Sequence, residues 1–142
     1  MARDMERMIR DWVEAENLQD ADRFASFYTD DCVWEDVALG LLNRGKKQVK
    51  SYFKSMFDAF PNLKFEVQSV FAAGKWGVCE FLMTGTQAGE FPGVPDTRGK
   101  RFSVRGVSVI QFRNGKISRN SDYWNMATLL QQVGLMAGAS SK

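Results

Sequence analysis

The chain has 142 residues and a mass of 16.1 kDa, with 44% hydrophobic and 25% charged residues, which is the make-up of one globular domain. Nineteen basic against seventeen acidic residues leave a net charge of +2, too small for the electrostatic footprint of a nucleic-acid binder. There is no histidine, so Ser-His and Cys-His mechanisms are excluded, and acid–base chemistry falls to carboxylates, lysine, tyrosine or water. Aromatics reach 13%, enough for a sizeable core or an apolar cavity. The two cysteines, Cys32 and Cys79, sit in strand-like runs and are expected as buried free thiols. With so few soft ligands no metal site is expected. The charged N-terminal run lacks the apolar centre of a signal peptide, and no stretch approaches the ~20 apolar residues of a membrane span. The expectation is a reduced, cytoplasmic protein with neither nucleic-acid nor membrane partners.

In chain order, Met5 to Asn17 reads as an amphipathic helix, with Met5, Met8, Ile9, Trp12, Val13 and Glu16 at helical spacing. Asp20 is the expected N-cap of a second helix that runs to Tyr28 with Phe24, Phe27 and Tyr28 inward, stopped by Thr29-Asp30-Asp31. Cys32 to Val37 reads as a strand and is followed by an irregular stretch. A third helix over 46–60 buries Val49, Tyr52, Phe53, Met56, Phe57 and Phe60, and Pro61 ends it. From Lys64 the period changes to two. Strands are expected up to Phe71, over Trp76–Thr86, over Arg101–Phe112 and over Ile117–Trp124, with Gly74-Lys75 and Asn114-Gly115 as turns. A bulge is expected at Gly106. The Gly/Pro loop from Gly89 to Gly99 is placed to act as a flap. Asn125 caps a short last helix over 126–133 that Gly134 ends. Residues 1–136 are expected to form the domain and 137–142 a frayed tail. The fold class is α+β: three N-terminal helices on one side of a curved, mostly antiparallel sheet, a cone whose apolar interior is a natural small-molecule pocket.

Two stretches carry a family resemblance. The loop Thr84-Gly-Thr-Gln-Ala-Gly-Glu-Phe-Pro-Gly-Val-Pro-Asp-Thr-Arg-Gly-Lys, and the run from Gly115 to Asn125 followed by Leu129-Leu-Gln-Gln-Val-Gly-Leu, resemble the SnoaL-like polyketide (ester) cyclases. That family shares the cone-shaped, cystatin-like fold of nuclear transport factor 2, ketosteroid isomerase and scytalone dehydratase. The resemblance implies a cofactor-free enzyme on a hydrophobic carbonyl compound, assembled as a homodimer or homotetramer.

Candidate site residues follow from alternation and from the resemblance together. Alternation puts Ser118, Asn120, Asp122 and Trp124 on one face of the last strand and leaves open which face lines the cone. The resemblance points Asp122 inward, where lost hydration would raise its pKa and make it a general acid or base. The ordinary alternative is a sheet-edge aspartate paired with Arg119 or Arg105. Trp34 and Asp36 share a face, with Glu35 opposite. They fall where limonene-epoxide hydrolase carries the Tyr and Asn that hold its attacking water, and Asp36 is the second catalytic candidate, with a solvated aspartate at the cone mouth as its alternative. That hydrolase also needs an Arg-x-Asp pair between positions 76 and 86, where this chain has neither residue. Substrate contacts are expected from Trp34, Phe57, Gln87, Arg105, Asn120 and Trp124. Gln87 replaces a histidine found in many cyclases, and a structural ion pair is the alternative for Arg105. Tyr28 or Tyr52 is a further oxyanion donor if its hydroxyl turns inward rather than packing in the core. The implied activity is an intramolecular aldol-type cyclisation or related isomerisation. The alternatives are an epoxide hydrolase and a non-catalytic module that binds a hydrophobic ligand.

Overall fold

Residues 2–91 and 95–138 are described by a computed structural model, and the apolar periods set its elements. Helix α1 (Ala2–Asn17) buries Ile9, Trp12, Val13, Ala15 and Glu16, so its stripe carries one carboxyl inward. Helix α2 (Ala21–Ser26) starts on Asp20, whose side chain accepts a hydrogen bond from the Arg23 amide. Helix α3 (Lys46–Ala59) buries Val49, Phe53 and Phe57 along one stripe and stops at Phe60, ahead of Pro61. The strands are β1 (Tyr28–Asp36), β2 (Leu41–Arg44), β3 (Lys64–Ala73), β4 (Trp76–Thr86), β5 (Arg101–Arg113) and β6 (Lys116–Trp124). Helix α4 (Met126–Gln132) follows, with the Asn125 side chain accepting from the Thr128 amide and Gly134 beyond its end at φ 83.

One sheet has the order β2-β1-β6-β5-β4-β3. Its pairs are antiparallel except for β1 beside β6, which is parallel. The β5–β6 hairpin turns on Asn114 (φ 53) and Gly115 (φ 75), the positive pair that a two-residue turn requires. Helix α1 lies on β3 and β4, and α3 lies on β1 and β2, so the helices cover the inner face of an open, curved α+β sheet. Trp12, Phe24, Tyr28 and Phe53 fill the space between them, with the Trp12 indole donating to the Tyr28 hydroxyl at 3.2 Å. Both cysteines are buried free thiols. No helix among the described residues is long and apolar enough to cross a membrane.

Three local expectations are corrected. Tyr28 does not close the second helix: it opens β1, where it pairs with Ile117 and is fully buried, so sheet pairing overrides the helical spacing of Phe24 and Tyr28. The irregular stretch after Asp36 contains a short edge strand, β2, which pairs back on β1 from Val33↔Arg44 to Asp36↔Leu41 after a turn at Gly40 (φ 68). Gly106 is not a bulge, because β4–β5 pairing runs through it without a break. A Cβ there would lie 2.6 Å from the Phe81 ring and 2.9 Å from Trp124 Cβ, so glycine is needed for close packing. The irregularity lies instead on β6. Arg119 pairs with Gln111 and Ile117 with Phe112, so Ser118 is the extra residue and Ile117 turns inward along with Asn120. Residues 92–94 of the expected flap and 139–142 of the expected tail lie outside the described residues.

Candidate active site

Between the core and the open end of the sheet lies a cavity of about 340 Å³. Its walls are mostly Phe, Met, Leu and Trp side chains, and three carboxyls (Glu16, Asp36 and Asp122) face the same space. None of the described lining residues is Lys or Arg.

Register explains how the strands place these groups. In the parallel β1–β6 pair, Asp36 sits beside Asp122 and Trp34 beside Asn120; on the other side, β5 brings Ser108 next to Asp122. All five point inward because each strand alternates with period two. The tryptophans then cross. Trp34 of β1 donates its indole N–H to Asp122 Oδ2 at 3.0 Å, and Trp124 of β6 donates to Asp36 Oδ1 and Oδ2 at 2.9 and 3.0 Å. Asp122 Oδ1 also accepts from Ser108 Oγ at 2.6 Å and from Asn120 Nδ2 at 2.9 Å. Asp36 takes a further bond from the Leu39 amide at 2.9 Å. Oδ2 of Asp122 accepts a single protein hydrogen bond and so keeps a lone pair for a ligand.

The electrostatics follow from burial against donors. Desolvation raises Asp122 from 3.8 to about 6, held back by the Ser108 and Asn120 hydrogen bonds, with the Asp36 charge adding to the rise. Asp36 is pushed up by burial and restrained by the Leu39 amide and Trp124. Burial, then the charges of Asp36 and Asp122, raise the Tyr52 phenol, so it stays a neutral donor. Glu16, 6% exposed, is pushed well above the ordinary carboxylate range by burial and then by the charge on Asp122.

The expected site residues divide into two groups. Asp122, Asp36, Trp34 and Trp124 do line the cavity. The other four lie elsewhere among the described residues. Asn120 is completely buried behind Asp122 and spends its amide on that carboxylate. Phe57 lies in the core against Phe24 and Phe53; on α3 it is Phe53, one turn earlier, that reaches both core and cavity. Gln87 is buried but turned into its own loop, accepting from the Thr97 amide and hydroxyl at 2.9 and 2.7 Å and donating to the Gly89 carbonyl at 2.9 Å. Arg105 is exposed, its odd position putting it on the outer face of β5 opposite Leu82. Neither Arg105 nor Arg119 pairs with Asp122, and Arg119 bridges to Glu35 at 3.0 Å on the outer face. Tyr28 belongs to the core and Tyr52 to the cavity wall.

Sequence reasoning missed two members of the constellation, Ser108 and Glu16. Ser108 carries no signal short of the β5–β6 register. Glu16 does, because a carboxyl on the apolar stripe of α1 has to face the interior.

A family model for SnoaL-like polyketide cyclases matches residues 6–133. The chain belongs to the SnoaL-like polyketide cyclase family. Solved structures share its fold. AclR from Streptomyces galilaeus, described as a candidate hydroxylase, is 24% identical with a TM-score of 0.83, covering 99% of this chain and 91% of that one. A candidate polyketide cyclase from Xanthomonas campestris is 22% identical with a TM-score of 0.82, covering 92% and 97%. A protein of ketosteroid isomerase-like fold from Catenulispora acidiphila, solved with trimethylamine, is 20% identical with a TM-score of 0.77, covering 94% and 96%. No curated protein sequence matches the chain significantly. On the cavity side of β4 this SnoaL-like chain presents Phe81 and Met83; the strand's one ionisable carboxyl, Glu80, accepts from Ser69 on β3 instead.

Proposed function

We propose that the cavity binds a hydrophobic substrate bearing two carbonyls and closes it by an intramolecular aldol reaction, with Asp122 as the base. The observation that carries this reading is the environment of Asp122: half-buried at the cavity wall, held by three neutral donors, and with one oxygen that accepts only a single hydrogen bond. Its pKa of about 6 keeps it ionised at neutral pH while making it a stronger base than a solvated aspartate. Oδ2 takes a proton from the carbon next to one carbonyl, and the C–H electron pair becomes the C=C of an enolate. That carbon attacks the second carbonyl carbon, a C–C bond forms, and the carbonyl π pair moves to oxygen as an alkoxide that takes up a proton. The Tyr52 hydroxyl is the donor for the enolate oxygen. Asp36, with both oxygens engaged by Trp124, orients that indole. Trp34, Trp124 and Phe53 hold the flexible chain folded with its reacting carbons together and keep water out.

The first half of the reaction is testable without the natural substrate. 2-Tetralone in D₂O should exchange its alpha protons for deuterium faster with the protein than in buffer, followed by proton NMR. Asp122→Asn should slow that exchange by about 10²–10⁴-fold while the circular dichroism spectrum is unchanged. An Asn variant that exchanges as fast as the wild type overturns the assignment.

A further inference from the structure

Three carboxyls face the cavity, and their surroundings differ. Asp122 and Asp36 each accept three hydrogen bonds, all from neutral donors. Glu16 is as buried as Asp36, yet no described residue donates to its side chain. With no Lys or Arg among the described lining residues, a charge on Glu16 would be desolvated, unbonded and set against the anion on Asp122. A buried carboxyl in that position keeps its proton. Its place is fixed by the next residue. Asn17 donates to the Phe65 carbonyl at 2.9 Å and accepts from the Phe65 amide at 2.7 Å, pinning the last turn of α1 to β3 as a strand partner would.

Building on the reading of Asp122 as the base, we propose that Glu16 is the general acid of the site, a neutral carboxylic acid whose proton goes to the oxygen of the attacked carbonyl. As the enolate carbon forms the C–C bond, the carbonyl π pair moves to oxygen and takes the Glu16 proton, giving the hydroxyl product and a Glu16 carboxylate. Asp122 is left as a carboxylic acid, holding the proton taken from carbon. Transfer of that proton from Asp122 to Glu16 restores both groups with no net gain or loss. Hydrogen bonding sets its direction: three donors stabilise an Asp122 carboxylate, whereas no described residue donates to a Glu16 carboxylate. The other groups at the wall do not fit this role. The Tyr52 phenol is pushed upward and gives hydrogen bonds rather than protons, and both Asp36 oxygens are occupied by the Trp124 indole, with the Leu39 amide on Oδ1 as well.

The test uses carboxyl-carbon NMR and a phenol probe. Glu16 should remain protonated at pH 7 while Asp122 titrates near 6. In Asp122→Asn, a neutral stand-in for Asp122 after it has taken its proton, 4-nitrophenol should bind with its oxygen at the Glu16 acid. Adding Glu16→Leu should weaken that binding by about tenfold or more, and Glu16→Gln, whose amide still donates, by less than about threefold. Ionisation of Glu16 below pH 7, failure of the probe to bind, or equal binding by the Leu variant overturns the proposal. The two readings fail separately. Exchange that survives Asp122→Asn defeats the base, whereas a Glu16 ionised at pH 7 with exchange still lost in Asp122→Asn defeats the acid alone.

Discussion

The two ends of the interior use the same kinds of residue for opposite purposes. Between α1, α2, α3 and β1, the rings of Trp12, Phe24, Tyr28 and Phe53 pack on one another at centroid distances of 4.4–6.4 Å, and the one indole N–H among them is satisfied by a tyrosine hydroxyl. At the open end, Trp34 and Trp124 stand at the wall of the cavity and give their N–H groups to carboxylates. Aromatic content therefore does not separate core from site. What separates them is whether a polar atom is closed off within the protein or left with capacity at the cavity wall.

Substitutions sharpen that contrast. Phe24→Ala empties a close-packed position and should cost about 3–5 kcal/mol in urea denaturation. Next comes a cost that the site itself imposes. A carboxyl whose native pKa is raised from 3.8 to about 6 favours the folded state when protonated, so its contribution is complete below about pH 4 and is lost as pH rises through 6. Between those limits the wild type should lose ~3 kcal/mol relative to Asp122→Asn, read as the difference between their stability–pH curves. Met83→Ala widens a space that already exists rather than creating one, and should cost only about 1 kcal/mol. A loss equal to that of Phe24→Ala would erase the distinction between the two ends. Smallest of all, Arg119→Ala removes a half-exposed pair with Glu35 on the outer face and should change stability by less than about 1 kcal/mol, with 2-tetralone exchange unaltered.

Much of the fold is legible in the chain because one period governs each element. Trp76–Thr86 reads as one long strand and forms β4 with those same limits, and the Asn114-Gly115 turn could adopt few other geometries. Legibility falls where a neighbour decides. Tyr28 has helical spacing from Phe24 but a strand partner in Ile117, and Ser118 displaces the alternation of β6 by one residue. The candidate site follows the same rule. Asp122, Asp36, Trp34 and Trp124 share inward faces that alternation pairs correctly, and the family resemblance supplied the inward direction. The family resemblance puts Gln87 at the substrate, where its amide could hydrogen-bond a carbonyl. Its own loop, through Thr97 and Gly89, uses that amide first. Arg105 is outward by simple parity: Val104 packs in the core and Gly106 lies against Phe81 and Trp124. Glu16 was visible as a carboxyl on an apolar stripe, but its partner Asp122 lies on another element more than a hundred residues along the chain.

The crossed tryptophan–aspartate bonds also bear on how the protein folds. Both span 88 residues of sequence and join the first strand to the last. Such a contact closes a long loop, and its entropy must be met before it returns anything. The β3–β6 meander and the helices can collapse without it, leaving Asp36 and Asp122 in water as ordinary aspartates. Docking of β1 on β6 desolvates both carboxylates and supplies both indole donors in a single event. The crossed carboxyl–indole pairs and the complete sheet are thus one folding step, and a chain arrested short of it would hold most of its secondary structure without the cavity wall.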